Sequence, residues 1–238
     1  KMGQNISKIL STPVNKIVGG SSLKEKLSDP KVLDNVELIF DFSGQKGNKE
    51  LLSFLSKYEI KRKKILIGST GLEATEIQKW QKLTETGEHS VLLAANTSLG
   101  VLVLKHMSQT LTRILRPHGF DIEICESHHK DKKDAPSGTA LMLAKALQTT
   151  DQSLSLQVDK RQDKRKSHEI GIHALRGGGV FGEHEINFLG ELETLSISHK
   201  ALDRSLFAKG ALVLARWLIN KKQGFYELDD LKLEELSP

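Results

Sequence analysis

With 238 residues, 38% hydrophobic and 27% charged, the chain supplies a core for one large domain or two small ones, and its 19 Gly, 5 Pro and single Cys exclude collagen-like, low-complexity and disulfide-scaffold classes. Cys125 has no partner for a disulfide, which points to a reducing, cytoplasmic setting, and no apolar run approaches the roughly 20 residues of a membrane helix. The mild net charge of +5 suits an anionic small substrate, and 5% aromatic content leaves little to stack on single-stranded nucleic acid.

The opening KMGQNISKIL has an apolar stretch too short for a signal peptide. Asn15–Gly20, Val36–Ser43, Lys64–Thr70 and Val91–Asn96 then read as short apolar strands ending in small residues. Between the last three lie Asn48–Tyr58 and Glu73–Thr84, with apolar residues three and four apart, as in helices. Strands alternating with helices predict a parallel sheet covered on both faces. Such sheets bind ligands beyond the carboxyl ends of their strands. Those ends carry Gly19-Gly20-Ser21-Ser22, Ser43-Gly44, Gly68-Ser69-Thr70-Gly71 and Ala94-Ala95-Asn96-Thr97, small residues that let a ligand approach the backbone.

The pattern changes near residue 98. Gly100–Leu115 reads as a long amphipathic helix, Asp121–Cys125 as a strand and Ala140–Leu147 as a helix. The run Lys160–Lys166 reads as a solvated loop, with a nucleic-acid patch as the rival reading. Glu169–Leu175, Gly182–Leu189 and Glu193–Ser198 are strand-like with no helix between them, which suggests an open mixed sheet, mostly antiparallel. Ser205–Ile219 is again a strong helix. The fold class is therefore α/β, a Rossmann-like nucleotide-binding domain with an inserted α+β domain carrying the mixed sheet.

Residues 126–140, ESHHKDKKDAPSGTA, are the most informative stretch. Pro136 suits a helix entry and Ser137 suits its cap, which places the amides of Gly138 and Thr139 at a helix N-terminus, a site for a carboxylate or phosphate. Lys130, Lys132 and Lys133 add positive charge, and His128 and His129 offer a general acid. A charged loop before a capped helix is the plainer reading of the same pattern. Adjacent His residues lack the spacing of a helical metal pair and there is no Cys pair, so no metal site is expected. Gly177–Gly182 formally matches G-x-G-x-x-G, but the strand-like EHEINFLG follows it where the dinucleotide fingerprint must open a helix. It reads as a tight turn between strands.

The stretch ESHHKDKKDAPSGTA closely resembles the signature of the 4-hydroxy-tetrahydrodipicolinate reductases, the dihydrodipicolinate reductases of diaminopimelate and lysine biosynthesis: E-x-H-H-x-x-K-x-D-A-P-S-G-T-A. Asp41-Phe42-Ser43, Gly68-Ser69-Thr70-Gly71, Ala94-Ala95-Asn96 with Ser98 and Gly100, Val180–His184 and Ser198–Ala201 resemble further family segments along nearly the whole chain. The opening Lys1-Met2-Gly3 resembles the end of the family's G-x-x-G-[RK]-M-G loop, so the first strand and leading glycines are expected before Lys1. The segment between Ser22 and Val36 is short for the family. Thr97 stands where many members have an aromatic residue, and Gly179 where Asp is frequent.

The resemblance implies a nucleotide domain over 1–99 and 205–238, a substrate and tetramerisation domain over 100–204, and a homotetramer. It implies hydride transfer from NADPH or NADH to a small dicarboxylate. His128 matches the proton donor and Lys132 the second catalytic residue. His129, Ser137, Gly138 and Thr139 match substrate-binding positions. Lys1, Met2, Gly68, Ser69, Thr70, Ala94, Ala95, Asn96 and Thr97 match cofactor-binding positions. No nucleic acid or membrane partner is implied. Ser21 and Ser22, with no carboxylate before Glu25, are expected to accept a 2′-phosphate, so NADPH should serve at least as well as NADH. A related dehydrogenase, such as one acting on aspartate, and a non-catalytic nucleotide-binding module are the alternatives.

Overall fold

The computed structural model describes Ile6, residues 29–158 and residues 164–236. The predicted strand Asn15–Gly20, together with Lys1, Met2, Ser21, Ser22 and residues 160–163, lies outside the described residues. The chain forms two compact units, residues 1–98 with 207–238, and residues 99–206.

The first unit runs β1 (Leu38–Asp41), α1 (Gly44–Lys57), β2 (Lys64–Ile67), α2 (Ala74–Gly87), β3 (Ser90–Leu93). The second runs α3 (Leu99–Leu115), β4 (Asp121–His128), α4 (Gly138–Thr150), β5 (Ser155–Gln157), β6 (Glu169–Arg176), β7 (Glu183–Leu189), β8 (Thr194–Lys200). Helix α5 (Ser205–Ile219) leads back into the first unit, which ends with β9 (Gly224–Glu227). Among the described residues no helix is long and apolar enough to cross a membrane.

The first unit holds a parallel sheet in the order β1-β2-β3-β9. Parallel strands need covered faces, and Ile65, Leu66 and Ile67 are accordingly all fully buried. Helix α1 turns Leu51, Leu52, Phe54 and Leu55 into the same core as Trp80 and Leu83 of α2. Strand β9 was not anticipated: GFYE is four residues long and shows no alternation to read.

The second unit holds a five-stranded sheet in the order β5-β6-β4-β7-β8. Strands β5, β6 and β4 run parallel, whereas β7 is antiparallel to both β4 and β8. The sheet is thus mixed, but half of its pairings are parallel, not mostly antiparallel as expected. The physical reason is that β6 and β7, consecutive in sequence, do not pair; they flank β4. Gly177–Gly182 is therefore no tight turn. It arches over the carboxyl end of β4, with the Gly177 amide donating to the His128 carbonyl at 3.0 Å.

The register explains what lies beneath that arch. Ile122 and Ile124 of β4, Ile170 and Ile172 of β6, and Ile186 and Phe188 of β7 share one face and pack against Leu143, Ala144 and Leu147 of α4. Continued along the same rows, the residues become Glu126 and His128 on β4, Arg176 on β6, His184 on β7 and His199 on β8. One face of one sheet is thus core at one end and polar at the other.

Candidate active site

Strand alternation puts Glu126 and His128 on the same face, two residues apart. Both are buried, at 1% and 8% exposure. His128 Nδ1 lies 2.5 Å from Glu126 Oε2. Arg176, aligned with His128 in the register, forks onto the same carboxylate, with Nη1 2.9 Å from Oε2 and Nη2 2.7 Å from Oε1. The Ser137 amide donates to Oε1 at 3.0 Å. Burial opposes ionisation of Glu126, but Arg176, His128 and the Ser137 amide outweigh it and hold the carboxyl below its ordinary range.

His184 completes the buried cluster. Its ring stands edge-on to that of His128, with centroids 5.3 Å apart, and its Nε2 is 3.2 Å from the Ser137 hydroxyl. Burial pushes its pKa down to about 4, assisted by the neighbouring His128. The imidazole is therefore neutral at physiological pH.

The loop that follows β4 supplies the charge. Lys132 Nζ lies 2.8 Å from Asp134 Oδ1. Asp134, mostly exposed, is held below its usual range by Lys132, with the Gly138 amide also on its carboxylate. Two groups that the sequence pattern assigns to a substrate carboxylate therefore already converge on a carboxylate. Ser137 caps α4 through its hydroxyl, which accepts from the Ala140 amide at 3.2 Å. The loop is tied to the glycine arch by Arg176 Nη2 on the Asp134 carbonyl and by the Lys130 amide on the Gly178 carbonyl. His129 lies just past the strand and is half-buried, so the adjacent histidines part: His128 belongs to the buried cluster and His129 does not.

In the first unit, the ends of β1, β2 and β3 form the predicted ligand edge. Buried Asp41 organises it, accepting from Asn48 Nδ2 at 2.6 Å, Ser69 Oγ at 3.0 Å, the Ser43 amide at 3.0 Å and the Ser43 hydroxyl. Ser69 Oγ also accepts from the Gly44 amide at 2.9 Å. Gly44 and Gly71 take φ +76° and +77°, and a Cβ at either would meet nothing within 4 Å. These open glycine turns at parallel strand ends fit a dinucleotide, whose phosphates need close backbone approach. Gly68 is half-buried against the Phe42 ring, while Thr70 and Ala95 are exposed along the edge. Ala94 and Thr97 are buried; the Thr97 hydroxyl donates to the Phe207 carbonyl at 2.8 Å. Asn96 is half-buried, its side-chain oxygen accepting from the Ser98 amide at 2.9 Å.

The sequence pattern alone assigns no role to Glu126, Arg176, His184 or Asp41. The i, i+2 spacing of Glu126 and His128 was a usable signal on a strand. Nothing local marks Arg176 or His184, which reach the site only through strand pairing. Of the basic run Lys160–Lys166, residues 164–166 are described. Arg165 is no solvated loop residue: its guanidinium bonds to Asp121, to Glu123 at 3.0 Å and to the Glu169 carbonyl at 2.6 Å.

A sequence model of the family described as dihydrodipicolinate reductase, C-terminus, matches residues 100–231. The 4-hydroxy-tetrahydrodipicolinate reductase of Rickettsia bellii (strain OSU 85-389) is 39% identical over 196 residues, 82% of this chain and 75% of the relative. That of Caldanaerobacter subterraneus subsp. tengcongensis is 37% identical over 248 aligned residues, 97% of this chain and 94% of the relative. Among solved structures, the dipicolinate-bound dihydrodipicolinate reductase of Paenisporosarcina sp. TG-14 superimposes with a TM-score of 0.76 at 19% identity, covering 97% of this chain and 96% of that one. The two-unit α/β fold, the signature from Glu126 to Ala140 and these relatives agree, and the chain belongs to the 4-hydroxy-tetrahydrodipicolinate reductase family.

Proposed function

We propose that the second unit binds the dicarboxylate substrate of this reductase and that His128 protonates it during reduction to tetrahydrodipicolinate, in the diaminopimelate route to lysine. The observation that carries the reading is the arrangement of the signature segment. It runs from a buried, carboxylate-held imidazole, through a cationic loop, into a capped helix N-terminus. Lys132 and the Gly138 amide bind one substrate carboxylate, as they now share that of Asp134, with Thr139 and His129 beside them and Ser137 fixing the helix start.

NADPH or NADH would be held along Gly68–Thr70 and Ala94–Thr97, with Lys1 and Met2 assigned there by the family resemblance, and would supply a hydride to C4 once the substrate's C4 hydroxyl and a C3 proton have left as water. The enamine left by hydride addition needs a proton. His128 gives it from Nε2, because Glu126 retains Nδ1. Lys132 stabilises the negative charge that the carboxylates bring. The active assembly is a homotetramer in the cytoplasm, without nucleic acid or membrane partners. The face of the five-stranded sheet opposite α4 supports self-association: it exposes Leu175 and Leu189, at 63% and 37% exposure, beside Asn187 and Ser196.

The test is oxidation of NADPH or NADH that depends on added 4-hydroxy-tetrahydrodipicolinate. His128→Ala and Lys132→Ala are each expected to lower kcat by roughly 10²–10⁴-fold, and Lys132→Ala also to raise KM. Pyridine-2,6-dicarboxylate should inhibit competitively with substrate. A folded His128→Ala variant with the wild-type rate overturns the assignment. NADPH is expected to serve at least as well as NADH.

A further inference from the structure

One carboxylate touches both halves of the proposed site. Glu126 Oε2 holds His128 Nδ1, and Oε1 holds the amide of Ser137, the residue that caps α4 and immediately precedes Gly138. Arg176 locks that carboxylate with a two-toothed fork and is itself tied to the Asp134 carbonyl. Both members of the pair are shielded, with side-chain exposures of 17% for Arg176 and 0% for Glu126. An ion pair so placed gains little stability over an apolar pair of the same volume, since desolvation offsets its attraction. Its geometric effect is specific: it sets one ring and one helix end in the same frame.

We propose that Glu126, clamped by Arg176, is a positioning residue that fixes the tautomer and orientation of His128 and at the same time places the carboxylate-binding start of α4 relative to it. The inference rests on His128 being the proton donor. With Nδ1–H held by Glu126, Nε2 is the only ring nitrogen left to carry the transferred proton. The other charged and titratable groups around the ring are Arg176 on β6, His184 on β7 with His199 behind it on β8, and Lys132 with Asp134 in the loop. His184 is neutral, and Lys132 is paired with Asp134. Removing Glu126 therefore leaves the Arg176 guanidinium without its carboxylate beside His128.

The test is Glu126→Gln in the full-length enzyme, with kinetics, binding of pyridine-2,6-dicarboxylate and nitrogen NMR of the histidines. The expected kcat loss is about 10–100-fold, with weaker binding of the dicarboxylate. In the wild type the neutral His128 ring should carry its proton on Nδ1, toward Glu126, an observation that needs no variant. Because Glu126→Gln strands Arg176, the double variant Glu126→Gln with Arg176→Met restores charge balance. It is expected to fold and still to be slow. A merely structural pair would instead give a double variant with wild-type kcat, and that result overturns the proposal. So does a wild-type His128 protonated on Nε2. A His128→Ala variant with full activity would refute the proton-donor reading itself, and the two failures are thus told apart.

Discussion

A methyl group at position 182 would press on the site. The Gly182 φ is +154°, and an ideal Cβ there would sit 3.0 Å from His128 Nε2, the ring atom Glu126 leaves available. Gly182→Ala is expected to cost about 1–3 kcal/mol in backbone strain. It should also lower kcat by displacing the ring, while the affinity for NADPH stays unchanged. Thermal unfolding and steady-state kinetics check both arms. Asp41 organises the strand ends of the first unit. It is 4% exposed and collects donors from Ser43, Asn48 and Ser69. Asp41→Ala leaves those donors without an acceptor, at about 1.5–3 kcal/mol for a charged hydrogen bond. A lowered urea midpoint and a raised Kd for NADPH are the expected readouts. Both residues show what the sequence made legible. The signature motif was readable because its histidines, lysine and helix cap are contiguous. Gly182 looked like part of a decoy turn, because only strand order reveals that its loop crosses His128.

At the level of elements, Arg165 decides how one edge of the mixed sheet is held. It joins Asp121 and Glu123 of β4 to the Glu169 carbonyl that opens β6, with only 19% of its side chain exposed. Arg165→Ala is expected to destabilise the protein by about 3 kcal/mol, because carboxylates lose a shielded partner. Arg62 pairs with Glu88 at 2.7 Å, but 79% of its side chain is exposed. Solvent screens that pair, and Arg62→Ala should change stability by less than about 1 kcal/mol. Equal urea midpoints for the two variants would refute the distinction. The sequence could not separate them, since Arg165 sits in a basic run that looks solvated until its acidic partners arrive from β4. Helix α5 was legible to the residue because its apolar spacing is unbroken over Ser205–Ile219. Strand β9 was not, because four residues carry no period and their place beside β3 is set by distant chain.

For the molecule as a whole, acid stability should follow buried histidine before carboxylate. Burial lowers the pKa of His184 to about 4, and also lowers those of His89 and His199. Below about pH 6.5 the unfolded chain binds protons that the folded imidazoles refuse, so stability present above that pH is lost as pH falls toward 4. For His184 alone the gap corresponds to about 3 kcal/mol. Glu126 adds its own loss only below the ordinary carboxylate range. Urea midpoints should therefore decline from near pH 6.5, and His184→Gln should flatten that decline; an unchanged slope would refute the assignment. The interrupted sheet of the first unit has a different consequence, in time. Pairing β3 with β9 joins Ser90 to Gly224, whereas every strand of the second unit lies within the continuous stretch 99–206. During synthesis the second unit can close while β9 has yet to be made, and the first must wait for it. On refolding, the long closure of β3 on β9 carries the larger entropic penalty. Pulse-labelled hydrogen exchange should show β4, β6 and β7 amides protected before those of β9, so the inserted segment matures inside a host that is still open.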